Sequence, residues 1–351
     1  LDSYYFGTLA VHIVCKNKKT ILMDTQRRKF IKQLGMGAMG IGIAGVLPQP
    51  IQAFTSMETR YPISLAQFSL ASEFFSGKHN ILEFPARAKN EFGVNIVEYV
   101  SMFFSGKETD ATFIKELKTR ASDAGVTNHL IMVDGENIAD LDSAKRMHAV
   151  ESHYKWVEVA VELGCTSIRV NLGSMEQEAS AEDVAKAAVD GYGKLLEFGE
   201  KHQLDIIVEN HISHSCNGKW LAGIMKQVNN KRAGVLPDFG NFCVKRTKPA
   251  TLDIAGYMAT KCLEEYDKYL GVEELMPYAK GVSAKTHKFD AQGNEIEVDF
   301  VRMFEIIKKS KFKGIVGIEY EGGLMHSMGQ PGYLSNEDGI RATKKLIEKV
   351  A

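Results

Sequence analysis

Cysteine, proline and tryptophan are scarce in this chain of 351 residues, which carries five, eight and two of them respectively. Cys15, Cys165, Cys216, Cys243 and Cys262 stand far apart with no CxxC spacing, which argues against a disulfide framework or a structural zinc site. Free thiols are the expectation, with Cys216 and Cys243, each just after a predicted strand, as the pair able to approach. An excess of either charge is missing as well: 43 basic and 44 acidic residues leave a net charge of −1. A nucleic-acid partner would want a basic excess, so that function class loses its main support. Long apolar runs are also absent. The uncharged stretch Gln33–Val46 is too short and too glycine-rich for a membrane span, and no integral membrane domain is expected. What is present, 44% hydrophobic and 25% charged residues, is ordinary globular composition.

The N-terminal region reads as an address. Arg27-Arg28-Lys29-Phe30-Ile31-Lys32 precedes the uncharged stretch, and Pro48, Pro50 and a small Ala53 follow it. A basic start, a short apolar run and a small-residue exit describe an export signal over residues 23–54, and the paired arginines resemble the twin-arginine type. Gln26 stands where that motif usually has Ser or Thr. The implied location is the periplasm. Residues 1–22 precede Met23, read as upstream sequence or a misassigned start, and are set aside.

From Tyr61 onward short apolar runs alternate with longer stretches of helical spacing. The runs fall at Ile63–Leu70, Val94–Phe104, Val126–Val133, Thr166–Leu172, Asp205–His211, Ala233–Phe239, Gly281–Phe289 and Gly314–Glu321. Asp142–Leu163 and Ala181–His202 are the clearest amphipathic helices. Eight such units in the 291 residues from 61 to 351 predict a single-domain α/β fold, a (β/α)8 TIM barrel. A doubly wound open sheet would carry a glycine-rich loop after its first strand, and Ser69-Leu70-Ala71-Ser72 is no such loop.

Barrel strands are buried on both faces, so charged residues at their C-terminal ends call for a reason. Here they are Glu98, Arg169 with Asn171, Glu209 with His211, Asp238, Lys285 with His287, and Glu319 with Glu321. Residues two apart on a strand share a face, so the members of each pair point the same way. Any one of them has a duller explanation in a backbone hydrogen bond or an ion pair. Together, Glu209, Asp238 and Glu319 would bring three negative charges into one low-dielectric cavity, which is tolerable only with protons or a cation. One divalent metal on Glu209, Asp238, Glu319 and a neutral nitrogen from His287 answers that need. Manganese or magnesium suits such a set best, with cobalt or zinc as alternatives.

The segments Ser167-Ile168-Arg169-Val170-Asn171, Val208-Glu209-Asn210-His211, Pro237-Asp238-Phe239-Gly240-Asn241, Ser283-Ala284-Lys285-Thr286-His287 and Gly317-Ile318-Glu319-Tyr320-Glu321-Gly322 resemble the xylose-isomerase-like barrel superfamily of sugar isomerases and epimerases. The resemblance spans roughly residues 61–350. It implies the same four ligands, with Glu209 and Glu319 doubling as the acid/base pair of an epimerase or isomerase. Asn241 departs from the related ketose epimerases, which often have His three residues after the metal Asp.

The implied chemistry is proton transfer at a carbon beside a carbonyl through an enediolate, on an unphosphorylated sugar or sugar derivative. Glu98, Asn171, His211, His214, Lys285 and Arg169 are candidate substrate contacts, and Trp220 is either a sugar platform or a helix-packing residue. A lyase or dehydratase acting on a keto-sugar or keto-inositol in the same metal site is the first alternative, since the same carbanion can expel a β-leaving group. A non-catalytic periplasmic sugar-binding protein is the second, although it would not need three converging carboxylates. A related family of DNA-cleaving barrels needs more strand-end histidines and a DNA-binding surface. A homo-oligomer is compatible with the sequence.

Overall fold

A computed structural model describes residues 60–351 of the chain, apart from residues 105, 175–178, 252–255 and 257–258. The export-signal reading and residues 1–22 lie outside the described residues. The described residues form one compact unit.

Eight parallel strands build the barrel: β1 (Ile63–Ala66), β2 (Ile96–Val100), β3 (Thr127–Met132), β4 (Ser167–Val170), β5 (Asp205–Glu209), β6 (Ala233–Leu236), β9 (Gly281–Thr286) and β10 (Ile315–Tyr320). Their order is β6-β5-β4-β3-β2-β1-β10-β9. The remaining seam, β6 against β9, is joined by bridges Val235↔Ala279 and Asp238↔Ser283. Ser283 donates its amide to Pro237 at 2.9 Å, and Phe239 donates to Ser283 at 3.2 Å. The eight expected runs all carry a strand, each shorter than its run. β1 stops at Ala66 and β2 at Val100, where the 3-10 turns Gln67–Leu70 and Ser101–Phe104 begin. Gln67 is fully buried there, and its side-chain carbonyl accepts the Val100 amide at 3.0 Å.

Helices wrap the outside. α1 (Ala71–Phe75), α2 (Phe84–Phe92), α3 (Ala111–Ala124), α4 (Ser143–Leu163), α5 (Ala181–Lys201) and α6 (Gly218–Val228) cover the first half. α7 (Lys268–Leu275), α8 (Phe300–Lys309), α9 (Gly322–Ser327) and α10 (Asn336–Val350) cover the rest. Side-chain caps start them: Asp110, Asp142 and Ser180 accept first-turn amides of α3, α4 and α5. Gly125 (φ 64°) and Gly164 (φ 79°) end α3 and α4 in the left-handed conformation, which turns the chain directly into the next strands. Trp156 of α4 meets Phe104 edge-on at 5.2 Å, and Tyr154 stacks on Phe198 at 3.9 Å, so the helix ring is bound by aromatic contacts. Among the described residues no helix is long and apolar enough to cross a membrane.

One element was not expected. β7 (Cys243–Arg246) and β8 (Cys262–Glu265) form an antiparallel hairpin after β6. Cys243 and Cys262 form a disulfide across it, which corrects the expectation of free thiols; Cys216 remains a buried free thiol. The bond closes a loop of 19 residues and excludes open chain conformations. Cys262→Ser is therefore expected to lower stability by about 2–3 kcal/mol. A urea transition unaffected both by that substitution and by reductant would contradict the bridge.

Candidate active site and cation cage

The C-terminal mouth divides into an apolar side and a charged side. Ala66, Val100, Leu130 and Met132 on β1–β3 pack with Phe103 and Leu324, and Phe68 and Phe74 lie against them. Phe103 stacks on Phe74 at 4.9 Å and meets Phe75, which is largely exposed, at 5.3 Å. The charged side comes from β4, β5, β6, β9 and β10.

Glu209, Asp238 and Glu319 converge there, all buried, each offering an oxygen within 4.8 Å of the others. Asp238 is fixed most firmly. Its Oδ1 accepts the amides of Gly240 (2.8 Å) and Asn241 (3.0 Å). Asn210 grips its backbone from both sides, accepting the Asp238 amide at 2.7 Å and donating to the Asp238 carbonyl at 3.0 Å. Ser283 Oγ stands 2.7 Å from Asp238 Oδ2 and 2.8 Å from Glu319 Oε2. A hydroxyl has a single proton and donates to one of these oxygens at a time, so the other needs a proton or a cation.

Glu209 Oε1 accepts from Asn241 Nδ2 at 3.0 Å. Its Oε2 is 2.8 Å from Arg169 Nε, yet neither atom makes an aligned hydrogen bond, so the contact is an ion pair only. Burial drives the Glu209 carboxyl up to about 7, against the pull of Arg169. Burial and the two neighbouring glutamates raise Asp238, while Lys285 opposes them. On the other flank Arg169 reaches Asp134 at 2.6 Å, and Asn171 donates to the same carboxylate at 3.1 Å. Burial opposes the Asp134 charge, but Arg169 and His211 outweigh it and hold the group down at about 2.

The expected fourth ligand is elsewhere. His287 lies one residue beyond the end of β9, with Nδ1 3.1 Å from Glu297 and Nε2 3.3 Å from Glu321. Both ring nitrogens serve that double ion pair, whose carboxylates overcome burial and raise the imidazole to about 10. The residue at the cage is Lys285, paired in register with Glu319. Its Nζ is 3.6 Å from Asp238 Oδ2, 3.6 Å from Glu319 Oε2 and 2.9 Å from Glu321 Oε1. It also donates to Asn241 Oδ1 at 3.3 Å.

His211 follows Glu209 toward the mouth, half-buried, and its Nδ1 has no hydrogen-bond partner among the described residues. Burial, reinforced by Arg169, lowers it to about 4, so it is a neutral ring facing the charged side. His214 turns away: its Nε2 lies 3.0 Å from the Ala179 carbonyl and its ring rests near Trp220. Trp220 donates Nε1 to the Ala181 carbonyl at 2.8 Å, which ties its helix to the start of α5.

Glu98 lies on the same interior face, 2% exposed, and accepts from Ser64 Oγ at 2.5 Å. Gly317 leaves room for it: a Cβ there would stand 3.0 Å from both carboxylate oxygens. Burial lifts Glu98 from 4.5 to about 7. A carboxyl raised on folding contributes stability that is full below its unfolded value and is lost as pH rises through the folded one. Chelated protein is thus expected to lose about 3 kcal/mol from this group as the pH rises from 4.5 to 7. In Glu98→Gln that slope should vanish. An unaltered profile by urea titration would show that Glu98 titrates normally.

A family model described as a xylose isomerase-like TIM barrel matches residues 86–349. The chain belongs to this family. No protein of curated function matches the sequence. Among solved structures, a D-allulose 3-epimerase from Methylomonas sp. is 15% identical, with a TM-score of 0.58 over 84% of this chain and 99% of its own. The IOLI protein, solved with a bound zinc atom, is 13% identical, with a TM-score of 0.60 over 83% and 99%. The 3-keto-D-glucoside 4-epimerase YcjR from E. coli is 14% identical, with a TM-score of 0.54 over 83% and 98%. These likenesses are of fold. For this xylose isomerase-like barrel the donor set itself must answer whether a metal fits, and three buried carboxylates with a shared hydroxyl fit a hard divalent cation.

Asn241, Ser283 and Asp134 belong to the site although none was singled out as a contact. Ser283 shares a face with Lys285, so parity alone would have found it. Asn241 was noticed only as a missing histidine, whereas it holds Glu209 and Lys285 together.

Proposed function

We propose that this chain is a sugar isomerase or epimerase that moves a proton at the carbon beside a carbonyl, with Glu209 and Glu319 as its acid/base pair. The observation that carries this reading is the meeting of Glu209, Asp238 and Glu319 at the mouth of the barrel. Fold relatives titled as allulose and keto-glucoside epimerases are consistent with it. Glu209 and Glu319 come from β5 and β10 and flank the Asp238–Lys285 pair, which comes from just beyond β6 and from β9. A sugar lying between them meets one carboxyl on each face. Removal by one and return by the other inverts the carbon; removal and return by the same group shifts the carbonyl. Burial raises the Glu209 carboxyl above its ordinary range, which makes it a better proton acceptor than an exposed carboxylate.

A manganese or magnesium ion held by Glu209, Asp238 and Glu319 would supply Lewis-acid polarisation of the sugar carbonyl. Arg169, Asn171 and His211 edge the same space and offer hydrogen bonds to hydroxyls. The apolar wall of Phe68, Phe74 and Phe103 suits the C–H face of a sugar ring. We also place the enzyme in the periplasm: Arg27-Arg28 heads an export-type segment, and a disulfide suits an oxidising compartment.

The test is incubation with free and oxidised sugars in heavy water, with and without manganese. Deuterium at one carbon of an epimer or isomer is the expected result, and an unsaturated product would move the assignment to the lyase. Tight sugar binding without any exchange would mark a binding protein.

A further inference from the structure

The fourth corner of the carboxylate cage, where a nitrogen ligand was expected, is filled by an ammonium. Lys285 is 3% exposed, and its Nζ lies 3.6 Å from oxygens of both Asp238 and Glu319. The surroundings are built around its stem. A Cβ at Gly240 would come within 3.0 Å of Lys285 Cδ, so any larger residue there would press on the side chain. Asn241 and Glu321 hold the head at 3.3 Å and 2.9 Å. Neither imidazole can replace it as a ligand: His287 is committed to Glu297 and Glu321, and His211 lies outside the cluster of ligand atoms.

We propose that Lys285 is a resident cation standing in for the nitrogen ligand, so that the cage binds divalent ions weakly and exchangeably and lacks the nitrogen donor that would make it retain zinc or cobalt. Two effects act together. A fixed positive charge beside three carboxylates offsets part of their attraction for a second cation. Loss of the imidazole removes the donor on which borderline metals depend, and an all-oxygen set favours magnesium and manganese. The inference rests on the metal-assisted reading of the site, but its test needs no turnover, so it stands or falls apart from the sugar chemistry.

The experiment is equilibrium dialysis of chelator-stripped full chain against Mg2+, Mn2+, Co2+ and Zn2+, for wild type, Lys285→His and Lys285→Met. Wild type is expected to lose Mn2+, Co2+ and Zn2+ alike on gel filtration. Lys285→His should bind Co2+ and Zn2+ about 100-fold more tightly, with visible Co2+ absorption bands that wild type lacks. Lys285→Met should gain affinity for Mn2+ without those bands, which isolates the charge. Stoichiometric Zn2+ retained through gel filtration by wild type, and equally by His287→Gln, which removes the separate His287–Glu295–Glu297 cluster, overturns the proposal.

Discussion

Glu319→Gln is expected to lower the rate of deuterium exchange into a sugar substrate by about 10^3-fold, within the range of about 10^2–10^4 that a positioned acid or base contributes. The amide keeps the size and the hydrogen bond from Ser283 Oγ but cannot carry a proton to carbon. It also removes one charge from the cage, so the affinity for manganese should fall together with the rate. Glu319→Asp separates the two effects. It keeps the charge and shortens the reach by one methylene, so metal retention with slow exchange would assign Glu319 to proton transfer. Circular dichroism should be unchanged in both variants, because the barrel interior keeps its shape. Exchange at the wild-type rate in Glu319→Gln leaves Glu209 as the only base and removes the two-carboxylate scheme.

The same residues show how far the sequence could be read. The barrel was legible because strands buried on both faces must be short apolar runs, and helices between them must be amphipathic. The three carboxylates were legible for the opposite reason: nothing in ordinary packing places Glu209, Asp238 and Glu319 at three strand ends of one barrel. Parity placed Lys285 and His287 on one face, and the preference for imidazole as a ligand chose His287. β9 ends at Thr286, so His287 is carried into the following loop, while the pairing Lys285↔Glu319 fixes the lysine at the cage. That pairing belongs to two strands 34 residues apart (319 less 285), and no local pattern reveals it. The hairpin escaped because Cys243-Val244-Lys245-Arg246 and Cys262-Leu263-Glu264-Glu265 are half charged and mostly exposed, with none of the buried-strand signature. Its disulfide joins positions that lie within one excursion of the chain, whereas the expected Cys216–Cys243 approach was judged from strand ends alone.

Arg169→Met should be the most destabilising single change in the site. Arg169 is 3% exposed and is the counter-ion of Asp134 at 2.6 Å and of Glu209 at 2.8 Å. Removing one partner of a buried pair strands the other charge, at a cost of about 3–5 kcal/mol. Methionine fills similar volume, so a cavity adds little. The pH dependence carries the sign. In wild type Asp134 is held down at about 2, so its contribution to stability is present above its ordinary value of 3.8 and is lost as pH falls through 2. Without the guanidinium, Asp134 keeps the pull of His211 and of the Asn171 hydrogen bond, whereas Glu209, already raised to about 7 in wild type, loses its main opposing charge and is raised further. The variant is therefore least stable where Glu209 must ionise, toward pH 8, and regains stability toward pH 5. Urea titrations of chelated protein at the two values are expected to show the larger deficit at pH 8. A deficit below about 1 kcal/mol at both would mean that Arg169 is a surface-like ion pair, worth no more than solvent-exposed pairs are.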